Sequence, residues 1–431
     1  MKYNKPDINL NLNVRGIPLS ATLAINEKSS ELIRQGRKVY KLGLGQSPFP
    51  VPRPVVDELK RNAFQKDYLP VKGLYELRKA VAEYHCRMHG VCHTAEDVLI
   101  GPGSKELMFL LQFVYYGDLL IPVPSWVSYA PQALIIGRHV RWIRTKPENN
   151  YKITAEEIVQ HCEKDPNKPR IVILNYPANP TGITYTKNEL RAIARAAKQF
   201  KIILLSDEIY GELHHKGKHN SIAQFYSEGT IISSGLSKWC GAGGWRLGTF
   251  TFPNSLKWLQ DAMAAVASET FTATSAPIQY AAVKAFKGCE EIENYLVKCR
   301  LILGKLGYEL AKELNKAEIQ TPFPQGAFYV FPNFSSYKNK LAKRNINTDV
   351  ELCDRILEET GVAILPGSVF GCREEDLTAR VAYVNFDGEK ALRAAEKLLL
   401  IDEINKKFLE KYCGGTLTAI NLICKWINSL E

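Results

Sequence analysis

Three short stretches place reactive side chains beside turns that follow apolar runs. In Ser233-Ser-Gly-Leu-Ser-Lys238-Trp-Cys-Gly-Ala-Gly-Gly-Trp-Arg246-Leu-Gly248, a lysine follows a buried-strand pattern and an arginine comes eight residues later. A lysine at a strand end in an α/β sheet faces the crevice where ligands bind. Desolvation and a nearby cation lower the pKa of such an amine and make it a nucleophile. In Asn175-Tyr-Pro-Ala-Asn179-Pro-Thr-Gly182, two prolines and a glycine build a rigid turn after the run IVILN, and Asn179 offers an amide donor there. In Ser206-Asp207-Glu208-Ile209-Tyr210, an acid follows the run IILLS and points into the same crevice. Each stretch alone has a plainer reading: an exposed loop lysine, an ordinary turn, a helix-capping aspartate.

The elements that must position these groups read as strands over residues 98–100, 119–122, 171–175, 202–206 and 231–234, with helices over 104–116 and 187–200. Continuous apolar strands separated by amphipathic helices predict a mostly parallel sheet covered on both faces, hence an α/β fold. A long helix over 291–316 and short strands over 328–331, 362–365 and 380–383 predict a smaller α+β domain. A helix over 29–36 and a strand over 39–44 join it from the other chain end. The expected division is residues 1–50 joining the small domain, 51–290 as the large domain and 291–431 as the small domain. The tail from 402 reads as two helices split by Gly414 and Gly415, with Leu417, Ile420, Ile423 and Ile427 as a packing stripe.

The chain has 431 residues, 45% of them hydrophobic, and a net charge of +11. The basic residues are spread along it and are not interleaved with aromatics, so nucleic acid is not the expected partner. A basic surface that draws anionic small molecules is expected instead. The ten cysteines read as isolated, which fits a reducing compartment. His85, Cys86, His89, Cys92 and His93 lack a second ligand pair and read as structural rather than metal-binding. The N-terminus lacks the apolar core of a secretory signal, and no apolar run is long enough to span a bilayer. A soluble cytoplasmic protein without membrane partners is expected. A dinucleotide fingerprint is not met after Gly43 and Gly45, because its third glycine is missing.

In this order and at these spacings, NPTG, SDEIY and SK with GGWRLG closely resemble class I/II aminotransferases, the fold type I pyridoxal-phosphate enzymes, nearest their prokaryotic-type aspartate branch. The resemblance runs from about residue 15 to 400. It implies pyridoxal 5'-phosphate as cofactor and no metal. Lys238 resembles the Schiff-base lysine that afterwards shuttles the proton. Asp207 resembles the acid that pairs with the pyridine nitrogen, and Tyr210 and Asn179 the donors to the phenolic oxygen. Trp126 resembles the aromatic stacked on the ring. Gly103, Ser104 and Lys105 resemble the phosphate cup at a helix N-terminus, joined by Arg246 and Ser237. Tyr68 resembles a tyrosine that reaches the neighbouring subunit's phosphate, which implies a homodimer with shared active sites. Arg380 resembles the arginine that clamps the substrate α-carboxylate. With Asn179 and with Gly45 of the N-terminal loop, it makes up the substrate side.

The sequence departs from the family's usual pattern in two places. Gly235 stands where a serine often makes a phosphate contact, and the loop reads Gly-Gln-Ser-Pro-Phe instead of Gly-Glu-Pro-Asp-Phe. No basic residue matches one that binds a dicarboxylic side chain, so the sequence does not support aspartate specificity. The implied activity is transfer of an amino group between an amino acid and a 2-oxo acid by a ping-pong cycle. A β-lyase or decarboxylase on the same scaffold is the alternative, and a non-catalytic regulatory domain is a third, though the stretch before Arg15 is too short for an attached DNA-binding domain. Borohydride should fix the cofactor to the purified protein, and peptide mapping should find it on Lys238. A modified peptide centred on another lysine would sink that assignment.

Overall fold

Strands that read as unbroken apolar runs must bury both faces, and the computed structural model, which describes residues 9–17, 19–398 and 403–430, builds them so. Tyr40–Lys41 (β1) precedes the main sheet. That sheet contains Val98–Gly101 (β2), Asp118–Val123 (β3), Val140–Arg144 (β4), Arg170–Asn175 (β5), Ile203–Asp207 (β6), Thr230–Gly235 (β7) and Gly248–Thr251 (β8). The spatial order is β2-β8-β7-β6-β5-β3-β4, with all strands parallel except β8. Successive residues alternate between two cores. Ile171, Ile173, Ile203 and Leu205 pack with the helices Ser104–Val114 and Lys257–Glu269. Val172, Leu174 and Leu204 pack with Ala155–Cys162 and Lys187–Gln199. Those last two helices each start with a reciprocal Thr/Glu capping box, Thr154 with Glu157 and Thr186 with Glu189.

The register matters more than the strand list. Asn175 lies beside Asp207, and Asp207 beside Ser233, in one row across the C-terminal ends of β5, β6 and β7. The two strands that the sequence reading omitted are β4 and β8. At the sheet edge β4 (VRWIR) carries two arginines, which hide a strand signal and blunt the edge. The second, β8 (GTFT), is four residues long and runs antiparallel between β7 and β2. A Cβ at Gly248 would collide with the backbone of Gly103 and Ser104, so the glycine lets the helix N-terminus seat directly on the sheet.

The second layer holds β9 (Tyr329–Val330), β10 (Val362–Ala363), β11 (Leu365–Pro366) and β12 (Ala379–Ala382), with the 27-residue helix Glu290–Lys316. Three glutamates in that helix's first turn and Lys316 in its last suit the helix dipole. The chain's beginning joins this layer: β1 pairs parallel with β10, and Lys28 meets Asp354 at 2.6 Å. The N-terminal helix runs Ala21–Arg34, earlier and longer than the expected 29–36. The expected strand 362–365 divides into β10 and β11, which pair with different partners.

The tail also corrects an expectation. Its helices are Lys406–Tyr412 and Gly414–Asn428, so Cys413 makes the break and the two glycines form the first turn of the second helix. Ile420, Ile423 and Ile427 are fully buried, Leu417 is half-buried, and Trp426 Nε1 donates to Glu359 at 2.7 Å. A second correction concerns the cysteines, which are not all isolated: Cys86 and Cys92 form a disulfide that ties the end of the helix Tyr75–His89 to the following loop. Ile423→Ala should cost about 2–5 kcal/mol of unfolding free energy, read by urea denaturation. Unchanged stability would show that the tail helix is not part of the core.

Candidate active site

A cavity of about 490 Å³ opens at the C-terminal ends of β5, β6 and β7, lined in part by Asp207, Tyr210, Lys238 and Trp126. Ligands in open α/β sheets bind at this end of the strands. Gly45, Ser104, Lys105, Asn179, Ser237 and Arg246 also line it. Ten of the residues singled out from the sequence therefore share one space.

Asp207 ends β6 and is 3% exposed. Tyr129 Oη donates to its Oδ2 at 2.6 Å and Ser233 Oγ to its Oδ1 at 3.3 Å. Burial outweighs these donors and pushes its carboxyl up to about 6. Glu208, one residue on, lies in a different setting. Ser206 Oγ, Ser221 Oγ and His219 Nε2 lie 2.7, 2.6 and 2.8 Å from its carboxylate oxygens. Despite its burial, His219 and these bonds hold Glu208 down to about 2. Two adjacent acids thus have opposite environments, one fully satisfied and one with no cation at hydrogen-bond distance.

Lys238 follows β7, and its Nζ donates to Gly45 O at 2.9 Å. Desolvation, with Arg380 nearby, lowers the amine to about 8. Arg380 lies on β12 and is 1% exposed. One of its terminal nitrogens donates to Asn179 Oδ1 at 3.0 Å and the other to Gly43 O, while its Nε has no partner. No carboxylate pairs with Arg380 among the described residues. A fully buried guanidinium without an anion is costly unless a ligand supplies one.

At the other side of the cavity, the helix Ser104–Val114 starts after Gly103, whose φ is 93°. The first amides of a helix lack intrahelical acceptors and carry the positive end of its dipole. A Cβ on Gly103 would collide with the Arg246 guanidinium, so the glycine lets that cation close over the turn. Lys105 Nζ lies 5.5 Å from the centre of the Trp126 ring. These groups fit an anion such as phosphate, the buried Asp207 fits a protonated ring nitrogen, and Trp126 offers a flat apolar partner. The set suits a phosphorylated pyridine aldehyde.

Tyr68 stands apart. It is 92% exposed and is not in the cavity of its own chain. Residues that the sequence reading missed are Tyr129, Tyr329 and Leu23. Tyr129 could have been found, since it lies three positions after Trp126 and their rings meet edge-on at 5.3 Å. Tyr329 carried no signal, because it sits in a short apolar strand. In the ligand-free protein, the raised pKa of Asp207 means that its ionised form opposes folding. The penalty is absent below about pH 4, grows as pH rises to 6 and is then constant, on the order of 3 kcal/mol. Ligand-free Asp207→Asn should therefore melt higher than wild type at pH 7.5 but not at pH 4. Equal melting differences at both pH values would refute the burial argument.

Residues 37–398 match the family model described as aminotransferase class I and II. The chain is 33% identical over 389 residues to an aspartate aminotransferase of Bacillus sp. (strain YM-2), covering 86% of this chain and 93% of the relative. It is 31% identical over 413 residues to an asparagine–oxo-acid transaminase of Streptococcus mutans, covering 91% and 97%. The solved structure of Thermus thermophilus aspartate aminotransferase with maleate superposes with a TM-score of 0.80 at 30% identity, covering 90% of this chain and 98% of that one. The chain belongs to the class I and II aminotransferases and is a pyridoxal-phosphate-dependent enzyme that moves an amino group between an amino acid and a 2-oxo acid.

Proposed function

We propose that Lys238, Asp207 and Tyr210 do the chemistry and that Arg380 selects α-amino acids by their carboxylate. The observation that carries this reading is Arg380 itself, a fully buried cation with no acidic partner among the described residues. An incoming carboxylate would supply the missing charge, and a planar fork fixes its orientation as well as its position. Asn179 serves two neighbours: its oxygen holds Arg380, and its amide nitrogen is left for the cofactor's phenolic oxygen.

When bound, the cofactor supplies a ring that accepts the electron pair left on the substrate Cα. Asp207 holds the proton on the ring nitrogen, and that cation turns its burial penalty into an ion pair. Lys238 Nζ, an amine that burial holds below its ordinary range, would take the Cα proton and return it. The Ser104 and Lys105 amides, Ser237 and Arg246 bind the phosphate, and Gly103 gives them room. Trp126 would offer the ring a flat apolar partner, and Gly45 would border the substrate.

The donor that this reading favours is acidic. Relatives are named for aspartate and asparagine, and one solved relative holds maleate, a dicarboxylate. The backbone amide of Lys105 faces one task, which leaves its ammonium for another. That ammonium has no acidic partner among the described residues, and burial and Arg246 lower its pKa. The reading includes a homodimer, supported by Tyr68, whose ring is exposed and unused by its own chain. It also includes the division of the chain at residues 50 and 290, and a cytoplasmic location. Eight unpaired cysteines favour that location, the Cys86–Cys92 bond counts against it, and no described helix is long and apolar enough to cross a membrane.

A panel of donors with 2-oxoglutarate tests the assignment. Arg380→Lys should lose about 2–5 kcal/mol in kcat/KM for small, aromatic and acidic donors alike, since all share the α-carboxylate. Lys105→Ala should lose about 1.5–3 kcal/mol for aspartate and glutamate only, with unchanged cofactor affinity. Equal losses across the panel for Lys105→Ala would remove it from the side-chain pocket. Losses confined to acidic donors for Arg380→Lys would overturn the carboxylate assignment.

A further inference from the structure

Tyr329 touches three working parts of the site. It lies on β9 and is 1% exposed. Its hydroxyl stands 2.7 Å from that of Tyr210, and the two rings meet edge-on at 5.6 Å. The Arg380 guanidinium lies 4.9 Å from the centre of the Tyr329 ring and 4.9 Å from that of Phe370. A Cβ at Gly45 would collide with Tyr329 Oη, so the loop whose carbonyl receives Lys238 Nζ needs glycine there to pass this hydroxyl.

Hydrogen-bond accounting separates two arrangements. A tyrosine hydroxyl has one proton and two lone pairs. If Tyr210 donated to Tyr329, it would have no proton left for the cavity. If Tyr329 donates, the Tyr210 proton is free to point inward. The bond that Tyr210 receives also polarises it into a stronger donor. The two tyrosines come from different sheets, Tyr210 from just after β6 and Tyr329 from β9. Their bond therefore joins the cofactor end of the site to the element that flanks Arg380.

We propose that Tyr329 is a positioning residue that donates to Tyr210 Oη, so that the single Tyr210 proton is aimed at the cofactor's phenolic oxygen, while its ring holds the Arg380 guanidinium plane. This rests on the role given to Tyr210 above. Negative charge on the phenolic oxygen helps retain the proton on the adjacent imine nitrogen of the Lys238 linkage. Each donor to that oxygen weakens the hold, so losing a donor raises the pKa of the linkage.

The test is a pH titration of the holoenzyme's visible absorption. Tyr329→Phe should raise the spectral pKa by roughly 0.4–1 unit. Tyr210→Phe should raise it further, and the double variant should match Tyr210→Phe alone, because the effect passes through that hydroxyl. Tyr329→Phe keeps the ring and should leave the KM of amino donors within about twofold, whereas Tyr329→Leu should raise it about tenfold or more. Equal shifts from Tyr329→Phe on both backgrounds, or none where Tyr210 is intact, would overturn the inference. If Tyr210→Phe shifts the pKa and Tyr329→Phe does not, only this inference falls. A silent Tyr210→Phe would remove the role of Tyr210 and this inference with it.

Discussion

A carboxylate at the end of a strand buried on both faces, with no cation at hydrogen-bond distance, is the constraint around which the site is built. Asp207 has its place because IILLS is apolar enough to sit inside the sheet, and its pKa because the sheet keeps water away. Tyr129 and Ser233 orient it without neutralising it. Glu208, one residue past the strand, carries the network of hydroxyls and His219 that anchors the turn. Tyr176, from the loop that carries Asn179, joins that network through Ser206 at 3.0 Å. At the end of this strand the first acid thus serves the ligand and the next serves the structure.

The same logic of withheld partners runs through the cavity lining and the side chains that touch it. Arg380 is desolvated and bonded only to neutral oxygens. Lys238 is held by a carbonyl instead of an acid, and burial, with cations around it, depresses its pKa. The helix start and Arg246 form a cationic cup. Each arrangement costs stability in the ligand-free chain, and each is relieved by a charge that the cofactor or substrate carries. Preorganised charges of this kind need little rearrangement during reaction, which is where electrostatic catalysis gets its magnitude.

Glycines supply the close approaches that this geometry needs. Gly248 lets a helix start touch the sheet, and Gly45 lets a loop pass under Tyr329. Neither gap is visible as chemistry in the sequence, because a glycine records only what is missing. No described residue of the tail lines the cavity. Its helix Gly414–Asn428 instead extends the core beside the long helix, with Trp426 tied to Glu359.

The sequence by itself determined the parallel sheet, since unbroken apolar runs have no other way to bury both faces. It also determined the chemical types at the site, because Asp207 closes an apolar run and Lys238 and Asn179 stand in the turns that follow two others. Local signals failed where partners were distant. The strands β4 and β8 are charged or very short and exist because neighbours pair with them. Helix boundaries near residues 21 and 413 depend on packing against other elements. Only tertiary structure could decide that Tyr129 reaches Asp207 across 78 residues, that Tyr329 meets Tyr210 across 119, and that Arg380 reaches Asn179 across 201. It also decided the pKa values, since desolvation is a property of what surrounds a group and not of the group's place in the chain.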